Sequence, residues 1–377
     1  SKVYDGSAVL APTTAQVANM TAQLVGGDTV SSAQLVYADK NAATGKTVAL
    51  SSIVLSDGNN GNNYNVTVVN SVNSVITKAA LTVTAVNDAR FVSQSDTAGY
   101  GGVTYNGFVA NETAAVLTAG AVTRSNSGTN SAGNYTGVLQ PSGWSATNYN
   151  ITYVAGDYTI VPANVLLVSA GAASTTYGTA PTYNLTAQYQ ASNGTIISAQ
   201  TPVVSNGQVS INDGAGGTAS FNLSAVNSSA STVQQVSVGG YNLGTSNLTI
   251  GGSNFNNLVI VGSLTVTPAA LTIRANSTST QYGVGTTLGS TAFTTSGLMN
   301  GETVGRVTLS STGSATTSNV GSYNITAASA AGGNFTASNY NISYANGTLN
   351  VTQAPLTITA NSTSTCLLYT SDAADDL

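Results

Sequence analysis

Histidine is absent from this chain and cysteine occurs once, at Cys366. No side chain therefore titrates near neutrality in the ordinary way, and no disulfide, thiolate pair or cysteine metal cluster is available within the chain. Charge is scarce as well. Only 6% of the 377 residues are charged, against roughly a quarter in ordinary soluble proteins. The eight Lys and Arg are too few to neutralise a run of phosphates or to form a basic lipid-binding patch, so no nucleic-acid partner is expected. Glutamate appears twice, at Glu112 and Glu302. No apolar run nears the roughly 18 residues of a spanning helix, so no membrane insertion is expected, and no long helical periodicity is visible.

What is present is a chain of 41% hydrophobic residues with 40 Gly and 18 Tyr. Val, Ile, Leu and Tyr alternate with Thr, Ser and Asn, as in strands with one greasy and one hydroxylated face. The reading is all-β.

The chain repeats itself. "VTPAALTIRANSTST" (Val266–Thr280) returns as "VTQAPLTITANSTST" (Val351–Thr365), and weaker copies start at Ile76 and Ile160. An aromatic flanked by Asn, at Tyr64, Tyr149, Phe255 and Tyr340, precedes each copy by a nearly constant interval. Pro162, Pro268 and Pro355 mark the junctions, where the missing N–H stops a ladder. Four units follow: 1–78, 79–162, a larger and divergent 163–268, and 269–353. Residues 354–365 read as the start of a further repeat. The tail 366–377, "CLLYTSDAADDL", breaks the pattern and reads as extraneous, with Thr365 the last authentic residue. Turn signals every 8–12 residues suggest one small Ig-like β-sandwich per unit, and tight linkers suggest an elongated, semi-rigid rod. Each unit is expected to close with a hairpin, in which Asn346–Gly347 supplies the positive φ of a tight turn and Gly156 sits at the matching place.

Recurring positions form the structural motif. Tyr-Gly opens units three and four, at Tyr177–Gly178 and Tyr282–Gly283, and Tyr4-Asp5-Gly6 opens unit one. The Asn-flanked Tyr64, Tyr149, Phe255 and Tyr340 close them. "GFVANET" (Gly107–Thr113) matches "GLMNGET" (Gly297–Thr303), which puts the two glutamates in one place. A lone Glu per unit does not make the facing carboxylate pair of a glycosidase, and its expected role is to accept backbone N–H bonds in a loop. Trp144 and Phe335 each stand five residues before the Asn-flanked tyrosine, and both read as core positions. "SDGNNGNN" (Ser56–Asn63) and "INDGAGG" (Ile211–Gly217) lack Ca²⁺-loop spacing and read as ordinary turns. "GKT" within Ala43–Leu50 lacks the first Gly of a phosphate loop. No catalytic, cofactor-binding or metal-binding residue is assigned.

"KVYDG" followed by "YADKNAATGKTVALSSIVLSDGNNGNNYNV" resembles the YDG-type repeat of large bacterial exoproteins. "VTYNGFVANET" with "AGNYTGVLQPSGWSATNYNITYVAGDYTIVPA" resembles a mostly-β, glycine-rich MBG repeat. The resemblance is strong for units one, two and four. It implies a passenger segment of a filamentous-haemagglutinin-like adhesin, secreted to the bacterial surface through an outer-membrane transporter partner. A cysteine-free body suits such threading. The expected function is a non-enzymatic stalk in cell adhesion. The alternative is a module binding surface glycans or proteins, with unit three the favoured binder through Gln188–Val226.

Overall fold

A computed structural model describes residues 1–362 except 60, 206, 229, 231 and 232. The tail and Cys366 lie outside the described residues.

Unit one holds β1 (Lys2–Val3), β2 (Val9–Leu10), α1 (Thr14–Thr21), β3 (Thr29–Tyr37), β4 (Ala43–Ser56) and β5 (Ser71–Thr77). Its strands make a single sheet, β1-β5-β4-β3-β2. The short helix starts at a capping box: Thr13 Oγ1 accepts from Gln16 N–H, and Gln16 Oε1 accepts from Thr13 N–H. None of its residues is buried.

Unit two holds β6 (Ala79–Ala85), β7 (Asp88–Phe91), β8 (Val103–Asn106), β9 (Ala121–Arg124), β10 (Gly133–Ser142), β11 (Tyr149–Val154) and β12 (Gly156–Val161). They form a three-stranded sheet, β11-β6-β8, and a four-stranded sheet, β7-β12-β10-β9. Unit three holds β13 (Val165–Thr176), β14 (Thr186–Gln190), β15 (Ile196–Ser198), β16 (Val203–Ser205), β17 (Gln208–Asn212), β18 (Thr218–Ala225), β19 (Gly239–Gly251) and β20 (Asn257–Thr267). Its eight strands run β15-β14-β13-β20-β19-β18-β17-β16. β19 pairs with β20 up to Asn242 and with β18 from Leu243, so the sheet folds over at that strand and closes on its own core. Unit four holds β21 (Ala269–Ala275), β22 (Thr278–Gln281), β23 (Phe293–Ser296), β24 (Val304–Ser310), β25 (Gly321–Gly333), β26 (Tyr340–Ala345) and β27 (Gly347–Thr352). Its sheets, β23-β21-β26 and β22-β27-β25-β24, reproduce the pairing plan of unit two.

Alternation explains the strands. In β21, Ala269, Leu271, Ile273 and Ala275 are buried while Ala270, Thr272 and Arg274 face out. β6 repeats this with Ala79, Leu81, Val83 and Ala85.

The closing hairpin is a correction. β11 and β12 lie in different sheets, as do β26 and β27. β26 runs parallel to β21 and β27 runs parallel to β22; β11 and β12 pair with β6 and β7 in the same way. Two adjacent arches therefore cross together from one sheet to the other. Neither Asn346, Gly347 nor Gly156 has a positive φ. The glycines serve a close approach instead. A Cβ on Gly347 would stand 2.5 Å from the Ala275 carbonyl oxygen, and one on Gly156 would stand 2.7 Å from that of Ala85.

A separate sandwich per unit is also corrected at unit one, which has one sheet. Its apolar side chains Tyr4, Tyr37, Val48 and Ile76 share a cluster with Ala79, Leu81 and Tyr149 of unit two. The core of unit three likewise extends into Ala269, Leu271, Ile273 and Tyr340 of unit four. The three-stranded sheets thus serve two neighbours. Sequence shows the same greasy alternation whether the facing layer comes from the same unit or the previous one. The array is curved rather than straight: Ile53–Ser56 of unit one and Thr317–Asn319 of unit four line one groove of about 430 Å³.

Candidate functional site

The most highly organised polar chemistry at the unit boundaries is a bridge built twice. In unit two the turn Val109–Glu112 closes with Glu112 N–H donating to Val109 C=O at 3.0 Å, and Ala110 and Asn111 have φ of +52° and +59°. In unit four, Glu302 N–H donates to Met299 C=O at 2.9 Å, with Asn300 and Gly301 at +53° and +69°. These are turns with two left-handed central residues. Since the turn satisfies its own backbone, the carboxylate is left to face outward.

Each carboxylate takes two tyrosine hydroxyls. Tyr4 donates to Glu112 Oε1 at 2.6 Å and Tyr149 donates to Oε2 at 2.6 Å. Tyr177 donates to Glu302 Oε1 at 2.5 Å and Tyr340 to Oε2 at 2.6 Å. One tyrosine of each pair comes from the preceding unit's opening motif, the other from the Asn-flanked position of the glutamate's own unit. The rings pack edge to face, with centroids 5.7 Å apart for Tyr4 and Tyr149 and 5.5 Å for Tyr177 and Tyr340. The Asn-flanked tyrosine also accepts from the turn, Tyr149 from Val109 N–H at 3.1 Å and Tyr340 from Met299 N–H at 3.0 Å. The expected backbone N–H role of Glu112 and Glu302 is therefore corrected to a bridge between tyrosines of adjacent units.

The opening glycine belongs to the same contact. Gly6 and Gly178 have φ of +81° and +83°, and a Cβ there would meet Ala110 Cβ at 2.3 Å or Met299 Cβ at 2.5 Å. Asp5 holds its turn by accepting from Ser7 N–H and Lys2 Nζ.

Charge-assisted bonds of this kind are among the stronger ones in proteins, and they shift the groups that make them. Burial, then the Glu112 bond, pushes Tyr4 up to about 12. Burial and the carboxylate raise Tyr149, Tyr177 and Tyr340 as well. Burial opposes ionisation of Glu112, but the bonds from Tyr149 and Tyr4 and the nearby Lys40 outweigh it and hold the carboxyl below its usual range.

Family models match at three places: a YDG domain over residues 1–72, and an MBG domain (YGX type) over 81–159 and again over 271–350. The chain carries one YDG domain and two MBG domains. No curated protein and no solved structure matches it. Each MBG domain contributes the bridging glutamate, and the unit before it contributes the tyrosine and glycine.

The boundary between the first MBG domain and unit three is built otherwise. Val92 stands where the other units have the opening tyrosine: its N–H donates to Val161 C=O, as those of Tyr4, Tyr177 and Tyr282 donate to Thr77, Thr267 and Thr352. Phe91, Val161 and Val165 form a small apolar cluster. Asn242 accepts from Asn87 N–H at 2.8 Å and donates to Ala85 C=O at 3.2 Å. Gly240 lies against β8 so closely that a Cβ would meet Thr104 Cβ at 2.4 Å. The other motif positions serve their own units: Phe255 is buried beside Tyr189, and Tyr64 donates to Asp28.

The remaining candidates are structural. Asp57 and Asp213 are taken up by backbone N–H groups of their own turns. Asp96 in the first MBG domain accepts from Arg90 and Arg124, both at 2.7 Å, and from Tyr158 at 3.1 Å. Both arginines are buried, and this ion network was not anticipated from sequence. Trp144 and Phe335 are only half-buried, at the edges of their clusters. Among the described residues, no group of three or more His, Cys, Asp or Glu comes together. No helix there is long and apolar enough to cross a membrane.

Proposed function

We propose that this chain is a non-enzymatic repeat segment of a secreted, adhesin-like bacterial surface protein, acting as a semi-rigid spacer. The carrying observation is the junction chemistry. Two of three boundaries combine a shared apolar core with a part-buried carboxylate bridging two tyrosines, which fixes the angle between units. The YDG and MBG domains support a repeat region of a surface protein, and neither is a known enzyme family. Export through an outer-membrane transporter partner and display at the cell surface belong to the same proposal.

The competing reading is a glycan- or receptor-binding module in unit three. In its favour, an open cavity of about 400 Å³ is lined by polar groups including Gln200, Ser210, Asn212 and Thr249. Against it, Tyr177, Tyr189, Phe221 and Phe255 are buried, Tyr183 and Tyr241 are partly buried, and among the described residues no aromatic side chain lines that cavity. Small-angle scattering on the intact chain tests the spacer. A single curved particle is expected; a profile of freely jointed units would reject the proposal. Specific capture of the chain on a glycan array, lost in Asn212→Ala, would transfer it to the binding module.

A further inference from the structure

Tyr282 and Gly283 follow β22 directly, as Tyr177 and Gly178 follow β13. Tyr282 N–H donates to Thr352 C=O at 2.9 Å, against 2.8 Å for the matching bond of Tyr177 to Thr267. Gly283 has the same left-handed φ, +89°. What differs is the cover. Tyr4 and Tyr177 are 2% and 4% exposed beneath the glutamate turn of the next unit, while Tyr282 is 47% exposed. A Cβ on Gly283 would meet nothing within 4 Å, where the equivalents at Gly6 and Gly178 collide with the following unit. The segment 354–360, "APLTITA", repeats "AALTIRA" of β21. Leu271 and Ile273 of β21 are buried, but their counterparts Leu356 and Ile358 are 82% and 84% exposed.

We propose that the Tyr282–Gly283 end is an acceptor site for a further MBG-type unit, recognised through its Gly-x-x-x-x-Glu-Thr turn and its Asn-flanked tyrosine. The incoming glutamate accepts from Tyr282 and from its own unit's tyrosine, and the turn seats on Gly283. The chain holds two occupied examples of this face, each filled by that chemistry. The counter-example is equally informative. Unit two presents Val92 instead of tyrosine, and the unit that follows it has Phe255 at the aromatic position and no glutamate. The opening motif thus selects which kind of unit can follow. The inference goes beyond the spacer reading and does not depend on adhesion.

The test is nitration of exposed tyrosines, mapped by mass spectrometry. Three proteins are compared: the intact chain, the chain with a second copy of residues 269–353 placed after Gln353, and the chain with residues 163–268 placed there. Tyr177 is the buried reference in each. Tyr282 is expected to react in the intact chain, to lose that reactivity to the level of Tyr177 when the MBG copy follows, and to stay reactive when the copy of unit three follows. Glu→Ala in the appended turn should restore the reaction. Tyr282 remaining reactive with the MBG copy, being protected equally by both extensions, or staying protected after Glu→Ala would each overturn the proposal. So would an appended MBG copy whose own Asn-flanked tyrosine is nitrated, because Tyr149 and Tyr340 are both buried in clusters shared with the preceding unit.

Discussion

The boundary between units three and four and the boundary between units two and three occupy equivalent places in the repeat, yet they are held by different chemistry. The first joins two tyrosines through Glu302 inside a continuous apolar core. The second relies on Asn242 and on glycine backbone lying against β8. A repeated fold therefore does not require a repeated interface. Substituting one opening residue, Val92 for tyrosine, goes with a different partner and a different set of contacts.

The largest way to break this contrast is Glu302→Ala. It removes the acceptor of the Tyr177 and Tyr340 hydroxyls and should destabilise units three and four by about 3–6 kcal/mol, two charge-assisted bonds at the usual magnitude. Calorimetry on the intact chain should show one transition moving down and the rest unchanged, since a multi-unit chain does not melt as one step. At the other boundary, Gly240→Ala pushes a methyl group into Thr104 and should cost about 1–3 kcal/mol as local overpacking. It should loosen units two and three without changing Tyr177 or Tyr340.

Alkali separates the boundaries without mutation. The folded-state pKa of Tyr4 is raised to about 12 from 10.0, so its contribution is complete below pH 10 and is lost as pH rises through the folded value. Glu112 is shifted the opposite way, so its contribution is present above the unfolded value and lost on acidification through the depressed one. The tyrosine-bridged boundaries should therefore weaken from about pH 10 upward; the Asn242 bonds themselves carry no titrating group, and burial also raises Tyr105 and Tyr241 beside them, so the third boundary should weaken less and not stay unchanged. Limited proteolysis against pH would show this as cleavage appearing first near residues 78 and 268. The smallest effect is expected from Lys40→Ala. Lys40 lies 3.7 Å from Glu112 and is half exposed, and an exposed pair contributes under about 1 kcal/mol. A thermal shift comparable to that of Glu302→Ala would mean that the lysine, not the tyrosines, secures the glutamate.

Much of this was legible in the residues. Alternation in "AALTIRA" and "AALTVTA" gave β21 and β6 their faces, and the spacing of Tyr149 and Tyr340 marked equivalent strands. The capping box at Thr13–Gln16 was written in the sequence too, although α1 is too short to show helical periodicity. The bridge was half legible. An opening Tyr-Asp-Gly or Tyr-Gly in one unit is followed by Glu in the next at both bridged boundaries, and both features are missing together at the third. That co-occurrence is a contact signal, but alternation within single strands does not reveal it. The arches were misread because Asn-Gly between two greasy strands fits a hairpin equally well. Only the parallel partners of β26 and β27, far away in sequence, decide which sheet each joins. The Arg90–Asp96–Arg124 network, with both arginines buried, rests on residues from three separate segments, and no local pattern announces it.

The parallel pairing of each unit's opening segment with its closing segment has a mechanical consequence. β13 and β20 match from Val165 with Asn257 to Thr176 with Thr267, so the chain enters at one end of this ladder and leaves at the other. Tension along the polypeptide then slides the two strands past each other and loads the rungs in shear, all together, instead of peeling them one at a time. In unit four the same ladder is split between two sheets, Ala269–Arg274 against Tyr340–Ala345 and Thr278–Gln281 against Leu349–Thr352. In single-molecule stretching unit four should give way before unit three, whose ladder lies within one sheet.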